Sequence, residues 1–271
     1  MTLTDQFDLS AYTMKPDALG DPQMLMFVGP PGGGKTWLAA SASEVEGLYP
    51  VLHIDLEGST QGTLTGLDPD RIDVLRPMEK FEPSKVYPKT IAVLEGLLTK
   101  PHKYKTVVID PADVLQRWAR AYGNVDGNKF AQWEFLDDEL TNPPTYDSKG
   151  KQLSRGLFHR LKSAPFLTIL VVHDKQEYDE DGTLVRDTFL WQGQGKSKLG
   201  GIPDMVGIIT RSTSGNKSKS TMKVGSSPRA SSKNRYESVL PAKIEEPTLS
   251  EIYAKIRNAT PNSKEDADNG T

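Results

Sequence analysis

The chain of 271 residues contains no cysteine, which excludes disulfides, thiolate metal sites and a cysteine nucleophile. That usage suits a reducing cytoplasm. Long apolar runs are missing too, and no stretch approaches the roughly 20 residues that span a bilayer. The opening residues Met1-Thr2-Leu3-Thr4-Asp5-Gln6 carry neither a basic nor an apolar region, so no signal peptide is read. These absences lead us to expect a soluble, cytoplasmic protein with no membrane partner. Neither sign of charge is in large excess: Lys and Arg total 33 against 36 Asp and Glu, a formal net charge of −3. Any contact with nucleic acid must therefore come from a local basic patch. Metal-ligand spacing is also absent from His53, His102 and His159, which read as structural.

Against these absences stands one complete motif. Gly29-Pro30-Pro31-Gly32-Gly33-Gly34-Lys35-Thr36 is a G-x-x-x-x-G-K-[ST] phosphate-binding loop. The apolar run Met24–Val28 before it reads as a buried strand, and Trp37–Ala42 after it as a helix closed near Gly47. Strand, loop and helix form the setting the motif needs. Glycines let successive N–H groups turn toward a phosphate, and the helix N-terminus adds partial positive charge. Lys35 reaches the β- and γ-phosphates, and the Thr36 hydroxyl is a Mg²⁺ ligand. The candidate nucleotide-binding set is residues 29–36 together with Trp37.

Length and pattern predict one large α/β domain. Residues 1–20 are polar and aperiodic and read as an arm; 21–258 form the core; 259–271 read as a disordered tail. Strands are expected at 51–54, 72–75, 106–109 and 166–172, and helices at 86–98, 112–122, 152–164 and 249–256. Unalternating apolar strands separated by helices imply a largely parallel sheet covered on both faces. Shorter strands at 188–191, 205–210 and 220–224 imply an antiparallel extension. Polar stretches at 123–128, 142–151 and 174–187 read as long loops.

Two carboxylates complete the motif's chemistry. The strand Thr106-Val107-Val108-Ile109 ends in Asp110, as does a Walker B strand, whose Asp holds Mg²⁺. Pro111 follows it where many P-loop ATPases have Glu, so the catalytic base must lie elsewhere. Glu57, just beyond the strand at 51–55, stands where ligand crevices open in such sheets and is the candidate base.

Ile54-Asp55-Leu56-Glu57 resembles the strand-end Asp-x-Glu of RecA-like ATPases, and Leu67-Asp68-Pro69 echoes it more weakly. Leu170-Val171-Val172-His173 resembles the strand whose terminal polar residue senses the γ-phosphate, which implies that role for His173. Lys233-Asn234-Arg235 is similar to the Lys-Asn-Arg of the RadA/DnaB branch, although Tyr236-Glu237 follows in place of glycine. In that branch the Lys and Arg reach a neighbouring subunit's triphosphate, so the resemblance implies catalytic roles for Lys233 and Arg235 and a homo-oligomer, ring or filament. The whole order over about residues 22–242 resembles phage-encoded RecA-like proteins of single-strand annealing and recombination. It implies a RecA-like P-loop NTPase core, ATP with Mg²⁺, ATP hydrolysis and single-stranded DNA as partner, in a bacterial host's cytoplasm. Against the resemblance, we expect no N-terminal DNA-binding or zinc domain and no counterpart of the large C-terminal domain of bacterial RecA.

In such proteins DNA meets the loops after the third and fourth core strands, here about 142–155 and the acidic 174–187. Basic residues gather at Lys149, Lys151, Arg155 and Arg160, at Lys196 and Lys198, and at Lys217, Lys219, Lys223, Arg229 and Lys233. Tyr146 is available to stack on a base. The alternative is a P-loop switch or helicase loader that acts through protein partners. A small-molecule kinase is disfavoured because no lid with several arginines is evident.

Overall fold

A computed structural model of the protein describes residues 21–124, 127–181, 184–193, 195–214, 217–225 and 232–259. The expected N-terminal arm, the tail beyond Ala259 and Arg229 lie outside these residues.

Chain order begins β1 (Met24–Gly29), α1 (Lys35–Ala40), β2 (Val51–Asp55), β3 (Ile72–Leu75), α2 (Pro77–Lys80), α3 (Val86–Thr99), β4 (Thr106–Asp110), α4 (Ala112–Tyr122) and α5 (Lys129–Leu136). It continues with β5 (Thr145–Tyr146), β6 (Gln152–Ser154), α6 (Leu157–Lys162), β7 (Leu167–Tyr178), β8 (Leu184–Phe189) and α7 (Gly195–Gly201). It closes with β9 (Met205–Ser214), β10 (Lys217–Lys223), β11 (Lys233–Asn234), β12 (Lys243–Glu245) and α8 (Leu249–Ala259). Ala259, expected to open the tail, ends α8.

The main sheet runs β12-β10-β9-β1-β7-β4-β2-β3. From β9 to β3 every pairing is parallel, whereas β10, β11 and β12 pair antiparallel beyond it. Hence β7 lies between the P-loop strand and the strand bearing Asp110. This is the expected RecA-like α/β arrangement with its antiparallel extension.

Apolar side chains of β1 alternate between two cores, as period 2 requires. Met24, Met26 and Val28 join Leu94, Leu115, Phe158 and Leu161 from α3, α4 and α6 on one face. Leu25 and Phe27 join Leu38 of α1 and Ile252, Tyr253 and Ile256 of α8 on the other. Helices on both faces explain why the central strands are apolar without interruption.

Two sequence expectations need correction. The helix expected over 152–164 is only Leu157–Lys162; Gln152–Ser154 is a strand paired with Thr145–Tyr146. The helix starts after Gly156, which has φ 55° and packs so that a Cβ there would lie 2.6 Å from Pro144 N. Nor is 174–187 a loop. β7 runs on to Tyr178, and Asp174–Tyr178 pairs antiparallel with Leu184–Phe189. Lys175 and Gln176 are exposed there, so the extension of β7 carries no apolar run to mark it as strand.

Candidate nucleotide site

The P-loop leaves the carboxyl end of β1. Gly34 caps α1 in the left-handed region at φ 97°, where a side chain is strained. Gly29 lies against β9 so closely that a Cβ would collide with the carbonyl of Ile209. Lys35 is buried and its ammonium donates to the carbonyls of Gly29 (2.7 Å) and Pro30 (2.8 Å). Burial pulls the Lys35 ammonium below its ordinary pKa, opposed by Asp110 first and then by Asp174, Asp113 and Glu57. Four carboxylates thus act electrostatically on this one cation. Thr36 is half-buried and Trp37 exposed. Arg211 of β9, which no motif singled out, donates to the carbonyl of Gly32 at 3.2 Å.

Asp110 ends β4 in register with Asp55 and takes the parity of Val108, which faces the α1 core. Its Oδ2 lies 3.2 Å from Nε2 of the buried His53, in a contact out of line for a hydrogen bond. That buried carboxylate oxygen therefore lacks a hydrogen-bond partner among the described residues. A hard-oxygen group of this kind, near enough for its charge to act on Lys35, fits Mg²⁺ or its water shell.

Asp55 explains how Glu57 is presented. Its buried carboxylate accepts from the backbone N–H groups of Gly58 (2.8 Å), Ser59 (3.3 Å) and Thr60 (3.2 Å) and from the Thr60 hydroxyl (2.7 Å). Arg76 adds a longer bond at 3.4 Å. Burial pushes the Asp55 carboxyl up, but these donors, Thr60 foremost, hold it below the ordinary value. The first acid of Asp-x-Glu therefore ties the turn, and the second is left at the surface.

Glu57 accepts from Arg117 of α4 at 3.1 Å, and the same guanidinium nitrogen lies 3.8 Å from Asp113. Asp113 in turn accepts from the backbone N–H of His173 at 3.1 Å, and its Oδ1 stands 3.2 Å from Nδ1 of that imidazole. His173 is in register with Gly29 across the β1–β7 pair. Asp113 raises the imidazole above its ordinary pKa against the effect of burial. Lys35, Thr36, Glu57, Asp110 and His173 thus gather at the carboxyl ends of neighbouring strands. Sequence reasoning missed Asp113 and Arg117, whose only local signal is an i,i+4 acid–base pair at the start of a helix after the Walker B strand.

Lys233 and Arg235 do not join this group within the chain. β11 pairs with the first residues of β9, and those pair with the start of β1. The two cations therefore sit at the opposite end of the sheet from the P-loop. Lys233 donates to the carbonyl of Gly201, and Arg235 pairs with Asp204 at 3.1 Å. Burial, then Arg235 and Lys162, lowers the Lys233 ammonium.

The basic residues expected near DNA divide. Arg155 pairs with Glu139 (3.0 Å), Arg160 with Glu95 (2.7 Å), Lys196 with Glu177 (2.8 Å) and Lys198 with Asp137 (2.9 Å). Lys149, Lys151, Lys219 and Lys223 are exposed, as is Tyr146. No helix among the described residues is long and apolar enough to cross a membrane.

A KaiC-like protein from the hyperthermophilic archaeon Pyrococcus horikoshii aligns with a TM-score of 0.41 and 16% identity, over 74% of this chain and 77% of that one. No curated protein matches. A family model described as the AAA domain matches residues 21–236, most of the chain. The chain belongs to this AAA-domain family and is a P-loop ATPase of AAA type.

Proposed function

We propose that this protein binds ATP with Mg²⁺ on residues 29–37, hydrolyses it at a site completed by a second copy, and acts on single-stranded DNA in phage-type recombination or annealing. The observation that carries the hydrolytic part is the meeting of Lys35, Thr36, Asp110, Glu57 and His173 at adjacent strand ends. Backbone N–H groups of the loop and the Lys35 ammonium hold the phosphates. Thr36 and Asp110 would hold Mg²⁺, which neutralises phosphate charge when bound. Glu57 orients a water and accepts its proton as the water oxygen attacks the γ-phosphorus and ADP leaves. His173, kept oriented by Asp113, faces the same crevice and reports the γ-phosphate.

Support for a shared site comes from Lys233 and Arg235. Lys233 is level with Met26 and Arg235 with the start of β1, three to five strand residues or roughly 10–16 Å from the P-loop end, and both are engaged there by Gly201 and Asp204 and not by their own nucleotide site. Support for DNA comes from the β5–β6 ribbon, which displays Tyr146, Lys149 and Lys151 to solvent. The test is steady-state ATP hydrolysis with and without single-stranded DNA, alongside a DNA mobility shift in ATP and Mg²⁺. We expect DNA to stimulate hydrolysis and ATP to promote the shift. Equal rates and no shift refute the DNA role, and a monomer that hydrolyses ATP points to a switch acting through protein partners.

A further inference from the structure

The backbone at Glu57 is fixed by the Asp55 turn, so its side chain is the part free to choose a partner. The partner it has is Arg117, at 3.1 Å. The carrier of Arg117 is well anchored. Val114 and Leu115 of α4 are buried, and Gln116 exchanges two hydrogen bonds of 3.1 Å with the backbone of Gln192. Asp113, one turn earlier, steers the guanidinium from 3.8 Å while it also holds His173. The charge-assisted hydrogen bond from the guanidinium to Oε1 fixes the direction of the carboxylate, so it must break before the side chain swings to another position. Arg117 and Glu57 are both exposed enough, at 59% and 36% of their side chains, for solvent to weaken the pair. It is therefore a contact that opens readily.

We infer that the Arg117–Glu57 ion pair is a resting position that withdraws Glu57 from the hydrolytic water, with Arg117 as a positioning residue that sets the basal rate. This rests on the reading of Glu57 as the base. It deepens that reading by naming what restrains the base.

The experiment measures kcat and KM for ATP without DNA, in the full chain, for Arg117→Ala, Glu57→Gln and the double variant. We expect Arg117→Ala to raise kcat about two- to fivefold, the range that an exposed ion pair allows, with KM unchanged. Salt screens the parent's ion pair, so higher ionic strength should narrow that gap. Glu57→Gln should lower kcat by about 100-fold or more, and the double variant should be no faster than Glu57→Gln alone. An Arg117→Ala kcat equal to or below the parent's, with Glu57→Gln inactive, overturns the inference and leaves Glu57 as the base. A Glu57→Gln rate near the parent's overturns both. Because Arg117 is exposed, the variant folds, which its thermal midpoint verifies.

Discussion

Asp55→Ala is the substitution that separates the turn from the chemistry. The Asp55 side chain is fully buried and serves four strong donor contacts. Gly58 and Ser59 are exposed, so their N–H groups find water when the carboxylate is removed. Thr60 is only 2% exposed, and both its N–H and its hydroxyl point at Asp55. Each buried donor left unmade costs about 1–3 kcal/mol. The two at Thr60 therefore set an expected loss of about 2–6 kcal/mol, readable as a lower midpoint in urea with an unchanged slope. The same change frees the backbone that carries Glu57. Misplacement by about 1 Å costs roughly 100-fold in rate, so kcat should fall by up to that factor while nucleotide affinity holds. A pH signature accompanies it. The Asp55 carboxyl is held below its ordinary value, so its stabilisation is fully present above the unfolded value of about 3.9. It is lost as pH falls through the lower folded value. The difference between parent and variant should be constant from neutral pH to about 4 and shrink below that. A variant within about 0.5 kcal/mol of the parent, with normal kcat, would refute the assignment of Asp55 as the tie of this turn.

Lys35→Ala should weaken binding of a fluorescent ATP analogue by about 10- to 100-fold, from the roughly 1.5–3 kcal/mol of a charged hydrogen bond; an unchanged Kd rules out its phosphate role. Gly29→Ala should cost about 1–3 kcal/mol in denaturant unfolding, because the new Cβ meets the Ile209 carbonyl; a loss below about 0.5 kcal/mol shows that β9 yields. NMR titration should place His173 above about 6.5, and Asp113→Asn should bring it down. The charged pair stabilises the fold fully below about 6.5, and the gain fades as pH rises through the higher folded value; a midpoint at or below 6.5 in the parent rejects the pairing. Lys35→Ala and Arg235→Ala should each abolish hydrolysis alone, yet regain part of it when mixed, since one interface then joins an intact P-loop to an intact Arg235. No recovery on mixing excludes a finger acting between subunits.

Sequence by itself determined the phosphate loop and the two acids, because those signals reside in contiguous residues. The strand before Gly29, the four fixed positions of the P-loop and the Val-Val-Ile-Asp run depend only on backbone conformation and local apolarity. The parallel sheet was legible for the same reason: strands buried on both faces admit no polar alternation. The ribbon beyond His173 and the strand at 152–154 were not, since solvent-facing strands carry no such mark. Tertiary structure alone decided how the acids are used. Asp113 and His173 are 60 residues apart, as are Arg117 and Glu57. They meet because β7 inserts between β1 and β4, and α4 crosses the resulting strand ends. Sheet order likewise put Lys233 and Arg235 at the far end of the strands from Lys35. Spacing along the chain does not encode which end of a parallel sheet a residue reaches; the register of its strands does.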